Sequence, residues 1–205
     1  MPLVIKGKKI KSRIIQGGMG VGVSLAPLAS AVAKEGGVGV ISSAALDRIV
    51  GKRIKRKIKI REAVHIEIAN AKNMSAGGHL GFKMDQIELE SNTLENLLPA
   101  VKDMAKIYGD FPVVVAGGIY TRKDIEKFLK MGADGVQMGT RFLATEESSA
   151  NAAYKSAVVG CAEQDIVVVD PEKNPPGSPC GLPFRIIRQS PMFEGSKFRK
   201  PLCNI

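Results

Sequence analysis

The chain is 205 residues long, with 44% hydrophobic, 24% charged and 5% aromatic residues, a composition of one soluble globular domain that argues against a disordered segment. No stretch approaches the ~18 uninterrupted apolar residues of a membrane-crossing helix, and Lys6, Lys8, Lys9 and Lys11 follow the first apolar residues too closely to leave a secretory core, so a cytoplasmic protein is expected. The formal charge of +10 is concentrated in Lys52-Arg53-Ile54-Lys55-Arg56-Lys57-Ile58-Lys59-Ile60-Arg61, but without interleaved aromatics or zinc ligands this run predicts a solvated surface segment, and nucleic acid is not the expected partner.

In chain order, Leu3-Val4-Ile5 and residues 10–15 flank a turn on Gly7 and predict a small hairpin. Ile14-Ile15 then runs into Gln16-Gly17-Gly18-Met19-Gly20-Val21-Gly22, and Ser24 stands where an N-cap would start a helix over 25–35, closed by Gly36-Gly37. Val38-Gly39-Val40-Ile41 reads as a second strand ending in Ser42-Ser43, so residues 14–43 form one βαβ unit. A packing helix is expected over 94–108, with Pro99 as its true start or a kink. A second unit follows. Phe111-Pro112-Val113-Val114-Val115-Ala116 is a buried-type strand ending in Gly117-Gly118, Thr121 and Asp124 make a capping box for a helix over 122–131, and Gly135-Val136-Gln137-Met138 is the next strand, ending in Gly139-Thr140.

Strands alternating with helices predict a parallel sheet covered by helices. A dinucleotide fold would place GxGxxG at the first turn and an acid after the second strand. Gly18, Gly20 and Gly22 are instead spaced two apart, and the second strand ends in serines. Small residues closing four segments on one side suit the C-terminal face of a (β/α) barrel, where loops hold phosphate through backbone N–H groups. The expected class is therefore α/β, TIM-barrel-like.

Three widely spaced cysteines, Cys161, Cys180 and Cys203, form neither a disulfide framework nor a metal knuckle, and no metal site is expected. No carboxylate pair has catalytic spacing. Of the two histidines, His65 reads as the polar position of an amphipathic helix, whereas His79 lies in the glycine-rich Ala76-Gly77-Gly78-His79-Leu80-Gly81, where backbone can approach a ligand and an imidazole can titrate near neutrality.

Together, Gln16-Gly17-Gly18-Met19-Gly20, Ala76-Gly77-Gly78-His79-Leu80-Gly81, Val115-Ala116-Gly117-Gly118-Ile119 and Gln137-Met138-Gly139-Thr140-Arg141-Phe142 occur in the order seen in the nitronate monooxygenase (2-nitropropane dioxygenase) family, which includes flavin-type enoyl-acyl-carrier-protein reductases, and the chain resembles that family over about residues 1–190. The resemblance implies non-covalent FMN on a TIM-like barrel. Gly18, Met19 and Gly20 would lie against the isoalloxazine, Gly78 would belong to the same cofactor site, and Gly117, Gly118, Gly139 and Thr140 would cradle the phosphate. His79 would be the catalytic residue, bonding the nitro group or taking an α-proton. The implied reaction takes alkyl nitronates and O2 to a carbonyl compound and nitrite. An NAD(P)H-dependent enoyl or flavin reductase, and a catalytically silent remnant or binding module, are the alternatives.

The chain departs from the family in length. A complete barrel takes ~250 residues, and only 34 positions separate Ser42 from Ala76, room for one unit where the family has several strands. An internally deleted, incomplete barrel is expected, as one domain over 1–205 with an irregular tail over 171–205 that holds Pro171, Pro175, Pro176, Pro179, Pro183 and Pro191. Its open sheet edges would favour a homodimer.

Overall fold

The structure is a computed structural model and describes residues 3–71, 84–86, 89–170 and 183–189. These fall into two units, one within residues 1–78 and 93–150 and the other within 79–92 and 151–205.

The first unit begins with the expected hairpin, in shortened form. β1 (Leu3–Ile5) pairs antiparallel with β2 (Lys8–Ile10), Leu3 facing Ile10 and Ile5 facing Lys8. The two turn residues, Lys6 and Gly7, both take positive φ (45° and 76°), the requirement of the two-residue turn that matches strand twist. The second strand was expected over 10–15. It stops at Ile10, and Arg13 at φ 57° breaks the extended chain before it restarts as β3 (Ile14–Gln16) in a different sheet.

Next comes α1 (Ala26–Lys34), which buries Leu28, Ala29 and Val32. Segment 38–41, expected as a strand, makes only one parallel bridge, Val38 beside Ile15, through Gln16 N to Val38 O (2.9 Å) and Val38 N to Ile14 O (2.9 Å). The ladder stops there because the Val40 N–H donates to the Gln16 side-chain Oε1 (2.8 Å). Gly39 is required at this place: a Cβ on it would stand 1.8 Å from the Ala29 carbonyl oxygen, so only glycine lets α1 lie this close.

α2 (Leu46–Arg53) and α3 (Ile60–Ala71) follow, burying Leu46, Val50 and Ala63 against Leu25, Ala29 and Ile41. The basic run occupies the end of α2, the turn and the start of α3, and is exposed apart from the half-buried Ile58, with Arg56 paired to Glu62. α4 (Leu94–Ile107) starts five residues before Pro99, which lies inside it rather than at its start.

β4 (Val114–Ala116), α5 (Arg122–Lys130) and β5 (Gly135–Met138) form the expected second βαβ unit, with the Thr121/Asp124 capping box in place, and α6 (Thr140–Leu143) follows at once. β4 is shorter than the predicted 111–116 because Phe111 is exposed and pairing begins only where Val114 meets Gly135. The sheet is parallel in the order β3-β5-β4. Its two faces are distinct. Val115, Val136 and Met138 pack against Leu98 of α4 and Phe128 of α5, while Ile15 and Val114 face the hairpin's Leu3 and Ile10. The hairpin thus covers the face that a closed barrel turns inward, and helices cover the outer face. No closed barrel forms among the described residues: β4 is an edge, and beyond β3 lies only the single Val38 bridge.

At the N-terminal end of this sheet Asp134 ties three elements together. Its Oδ2 accepts from Lys102 Nζ (2.9 Å) and the Val113 amide (2.7 Å), and Arg13 donates to the carbonyls of Asp134 (2.7 Å) and Ala133 (2.6 Å). Burial alone would push this carboxyl up, but the hydrogen bonds from Lys102 and Val113, with the charges of Lys102 and Arg13, hold it below its ordinary 3.8. A depressed folded value means stability present above about pH 4 and lost as pH falls through the folded value. Asp134→Asn is therefore expected to cost about 1–2 kcal/mol near neutrality, with the gap to the unmodified chain narrowing as the pH is lowered through the folded value, as urea unfolding across an acid pH series will measure.

The second unit contains 3-10 turns at Met84–Gln86, Glu90–Asn92 and Glu163–Asp165, α7 (Ala152–Gly160), and a two-stranded antiparallel sheet of β6 (Ile166–Val169) and β7 (Phe184–Ile187). The tail expected to be irregular therefore contributes a strand. Four apolar or long side chains at 184–187 find a partner in Ile166-Val167-Val168-Val169, a pairing across some eighteen residues that local pattern does not signal.

Candidate functional site

Because β3, β5 and β4 are parallel neighbours, the loops that leave their C-terminal ends emerge along one edge: 17–20 after β3, 139–140 after β5, and 117–118 after β4. Three of the four motifs are thereby brought together. Ala76-Gly77-Gly78-His79-Leu80-Gly81, with Gly78 and His79, lies outside the described residues, as do Cys180 and Cys203.

The loop after β3 is held from within. Gln16 is fully buried, and its amide accepts from Val40 N and donates to Ser24 Oγ (2.8 Å) and to the Gly17 carbonyl. Ser24, also fully buried, accepts from the Met19 amide (2.9 Å) while its own amide donates to the Met19 carbonyl (3.0 Å). Ser24 was expected to cap α1. Leu25 holds that position without any side-chain bond, with Pro close behind in the first turn, and the serine hydroxyl is turned into the glycine loop instead. Sequence reasoning missed both residues; the available signal was a glutamine closing an otherwise apolar strand. Of the residues expected to meet the cofactor through their backbone, Gly18 is buried, Met19 is half-buried with its N–H and C=O both bonded to Ser24, and Gly20 is exposed.

The loop after β5 adjoins it. The Gly17 amide donates to the Met138 carbonyl (2.6 Å), and a Cβ on Gly139 would come to 4.0 Å from Met19 Sδ. Toward β4, the Arg141 guanidinium lies over the Tyr120 ring, 4.4 Å from its centroid. Gly117 (φ 110°) and Gly118 (φ 64°) are exposed and in the left-handed region, and a Cβ on either would meet nothing within 4 Å. Glycine is thus needed here for backbone shape, and the space above both is open. At the adjacent start of α5 the Asp124 carboxylate accepts from the amides of Tyr120 (3.1 Å) and Thr121 (2.7 Å), bonds that hold it below the ordinary carboxylate range. Those two amides are already used, so an anion in this cradle would be met by Gly117, Gly118 and the Gly139-Thr140 turn. Exposed glycine backbone at 117–118 with open space above it could receive the phosphate of a nucleotide such as FMN.

The nitronate monooxygenase family model matches residues 2–65 and 56–177. The chain belongs to the nitronate monooxygenase family. Over 112 residues it is 40% identical to a probable nitronate monooxygenase of Staphylococcus haemolyticus, covering 53% of this chain and 30% of that one. Against the nitronate monooxygenase of Pseudomonas aeruginosa it is 40% identical over 100 residues, 48% of this chain and 27% of the relative. The aligned part thus spans less than a third of either relative. Among solved structures the chain is similar to FabK from Thermotoga maritima, with TM-score 0.53 and 22% identity over 87% of this chain and 72% of that one, a likeness of fold. Among the described residues the TIM-barrel-type fold of this nitronate monooxygenase family member does not close, as the sequence led us to expect. No helix among the described residues is long and apolar enough to cross a membrane.

Proposed function

We propose that the chain binds FMN at the C-terminal edge of the β3-β5-β4 sheet and oxidises alkyl nitronates with O2 to a carbonyl compound and nitrite. The observation that carries this is the convergence of residues 17–20, 117–118 and 139–140 on one sheet edge. Family membership supports it independently. Gly117, Gly118, Gly139 and Thr140 hold the phosphate through backbone groups, Gly18, Met19 and Gly20 lie against the ring system, and Gly78 belongs to the same site. His79 binds the nitro group and accepts the α-proton of a neutral nitroalkane. FMN, when bound, supplies the two-electron redox chemistry. The open β4 edge and the exposed Met104, Ile107 and Tyr108 of and just after α4 support a homodimer.

Nitrite release and O2 consumption by the FMN-loaded chain with an alkyl nitronate test the activity. NADH oxidation without nitronate turnover would replace the substrate by an enoyl or flavin acceptor, and neither activity would leave a binding remnant. Gly118→Asn tests the cradle, since asparagine tolerates the left-handed backbone while placing a side chain in the open space. FMN affinity is expected to fall at least about tenfold, or about 1.4 kcal/mol, with the melting temperature of the flavin-free chain little changed. Unaltered affinity would place the phosphate elsewhere.

A further inference from the structure

On the inward face of the sheet, between the hairpin and the turn after α1, lies a cavity of about 690 Å³ that none of the residues 17–20, 117–118 or 139–140 lines. Its floor is largely apolar, built from Ile5, Ile10, Ile15, Ala33 and Val38, with the polar Gln137 beside Ile15. Its rim is cationic. Lys6, Lys8, Lys9, Lys11 and Lys34 all border it, and none of the five pairs with an acidic side chain among the described residues. Glu35, beside Lys34 in sequence, lines a separate cavity with Leu28 and Phe142. The walls are tied to each other: the Ser12 amide donates to the Gly36 carbonyl (3.1 Å), and the Lys11 stem lies so close to Gly36 that a Cβ there would be 3.0 Å from Lys11 Cβ.

Five lysines bordering one cavity, with no acidic side chain among its lining residues, concentrate positive charge there, and an anion offsets it. A hydrated polyanion would satisfy the rim and waste the floor, whereas an alkyl chain ending in one negative group satisfies both. The volume falls within the few hundred to a thousand cubic ångströms of small-molecule sites. We propose that this cavity binds an alkyl carboxylate, its head held by the hairpin lysines and Lys34 and its chain laid along Ile5, Ile10, Ile15 and Val38. Charge-assisted hydrogen bonds fix the head, and lysine stems extend the apolar wall over the first methylenes.

Calorimetric titration of the full-length chain with octanoate, decanoate and dodecanoate, each below its micelle concentration, tests this. Affinity is expected to rise about fourfold per added methylene until the cavity is filled. Reversing charge with Lys8→Glu, Lys9→Glu and Lys11→Glu together is expected to weaken dodecanoate at least about tenfold. Should that triple variant fail to fold, Lys34→Glu alone reads the same rim from the helix side and is expected to weaken binding severalfold. Saturating FMN should leave dodecanoate affinity unchanged, which separates this cavity from the glycine loops. Equal binding of dodecylamine, no dependence on chain length, indifference to charge reversal, or competition by FMN would each overturn the proposal.

Discussion

His79→Ala is expected to lower kcat/KM for nitronate or nitroalkane oxidation by about a hundredfold to ten-thousandfold, the usual contribution of a positioned proton acceptor. FMN affinity should stay within about twofold if, as proposed, the phosphate is held by backbone groups at 117–118 and 139–140 rather than by an imidazole. The split between the two quantities is informative. A histidine that merely shaped its glycine loop would change flavin affinity and turnover together, whereas a base acting on the α-carbon would change turnover alone, and more for the neutral nitroalkane than for the preformed nitronate. Steady-state kinetics with both substrate forms, beside an FMN titration, separates these outcomes. Loss confined to flavin binding would remove His79 from the chemistry.

Gln16→Ala should be the most damaging single change to the site's scaffold. The side chain is fully buried and makes three hydrogen bonds, from Val40 N and to Ser24 Oγ and Gly17 O, so its removal leaves a buried N–H without a partner and a cavity the size of the side chain. A cost of about 3 kcal/mol is expected from urea unfolding. Gln16→Glu should be no milder near neutrality. A buried carboxylate can still accept from Val40 but has no proton to donate to Ser24 or to the Gly17 carbonyl, and protonating it restores that donor, so this variant should recover part of its deficit as the pH is lowered. Both variants loosen the loop over 17–20 and should weaken FMN by a larger factor than an equally destabilising change at Asp134, which sits at the opposite end of the sheet. Equal weakening from the two ends would mean that Gln16 acts on stability alone.

Much of the fold was legible because the relevant signals are local. Thr121 and Asp124 declare the start of α5, Gly132 its end, and the apolar run before Gly117 marks β4; each is settled by residues a few positions apart. Where a residue had two possible partners, proximity in sequence misled. Ser24 stands one residue before the cap of α1, yet its hydroxyl serves Met19, because closing the glycine loop satisfies a part-buried amide whereas Leu25 can begin the helix uncapped with Pro27 behind it. Segment 38–41 has a strand's composition, but whether it continues a ladder depends on the Gln16 side chain, which takes the Val40 N–H. The β6–β7 pairing escaped for the same reason, being decided across residues distant in sequence. At the site, the glycines were visible as glycines. Their use was not: only the structure distinguishes Gly39, pressed against Ala29, from Gly117 and Gly118, which face open space. The short interval between Ser42 and Ala76 led to the expectation of an incomplete barrel, and among the described residues β4 is an edge.

The most direct test is a thermal melt of the flavin-free chain with saturating FMN and, separately, with riboflavin. A ligand that binds only the folded state at a hundred times its dissociation constant stabilises by about 2.7 kcal/mol, a shift of a few degrees for a chain of this size. FMN is expected to raise the midpoint by that amount and riboflavin to do distinctly less, since the proposed glycine cradle at 117–118 and 139–140 would recognise the phosphate. Equal shifts from the two would contradict the phosphate assignment, and no shift from either would contradict flavin binding altogether.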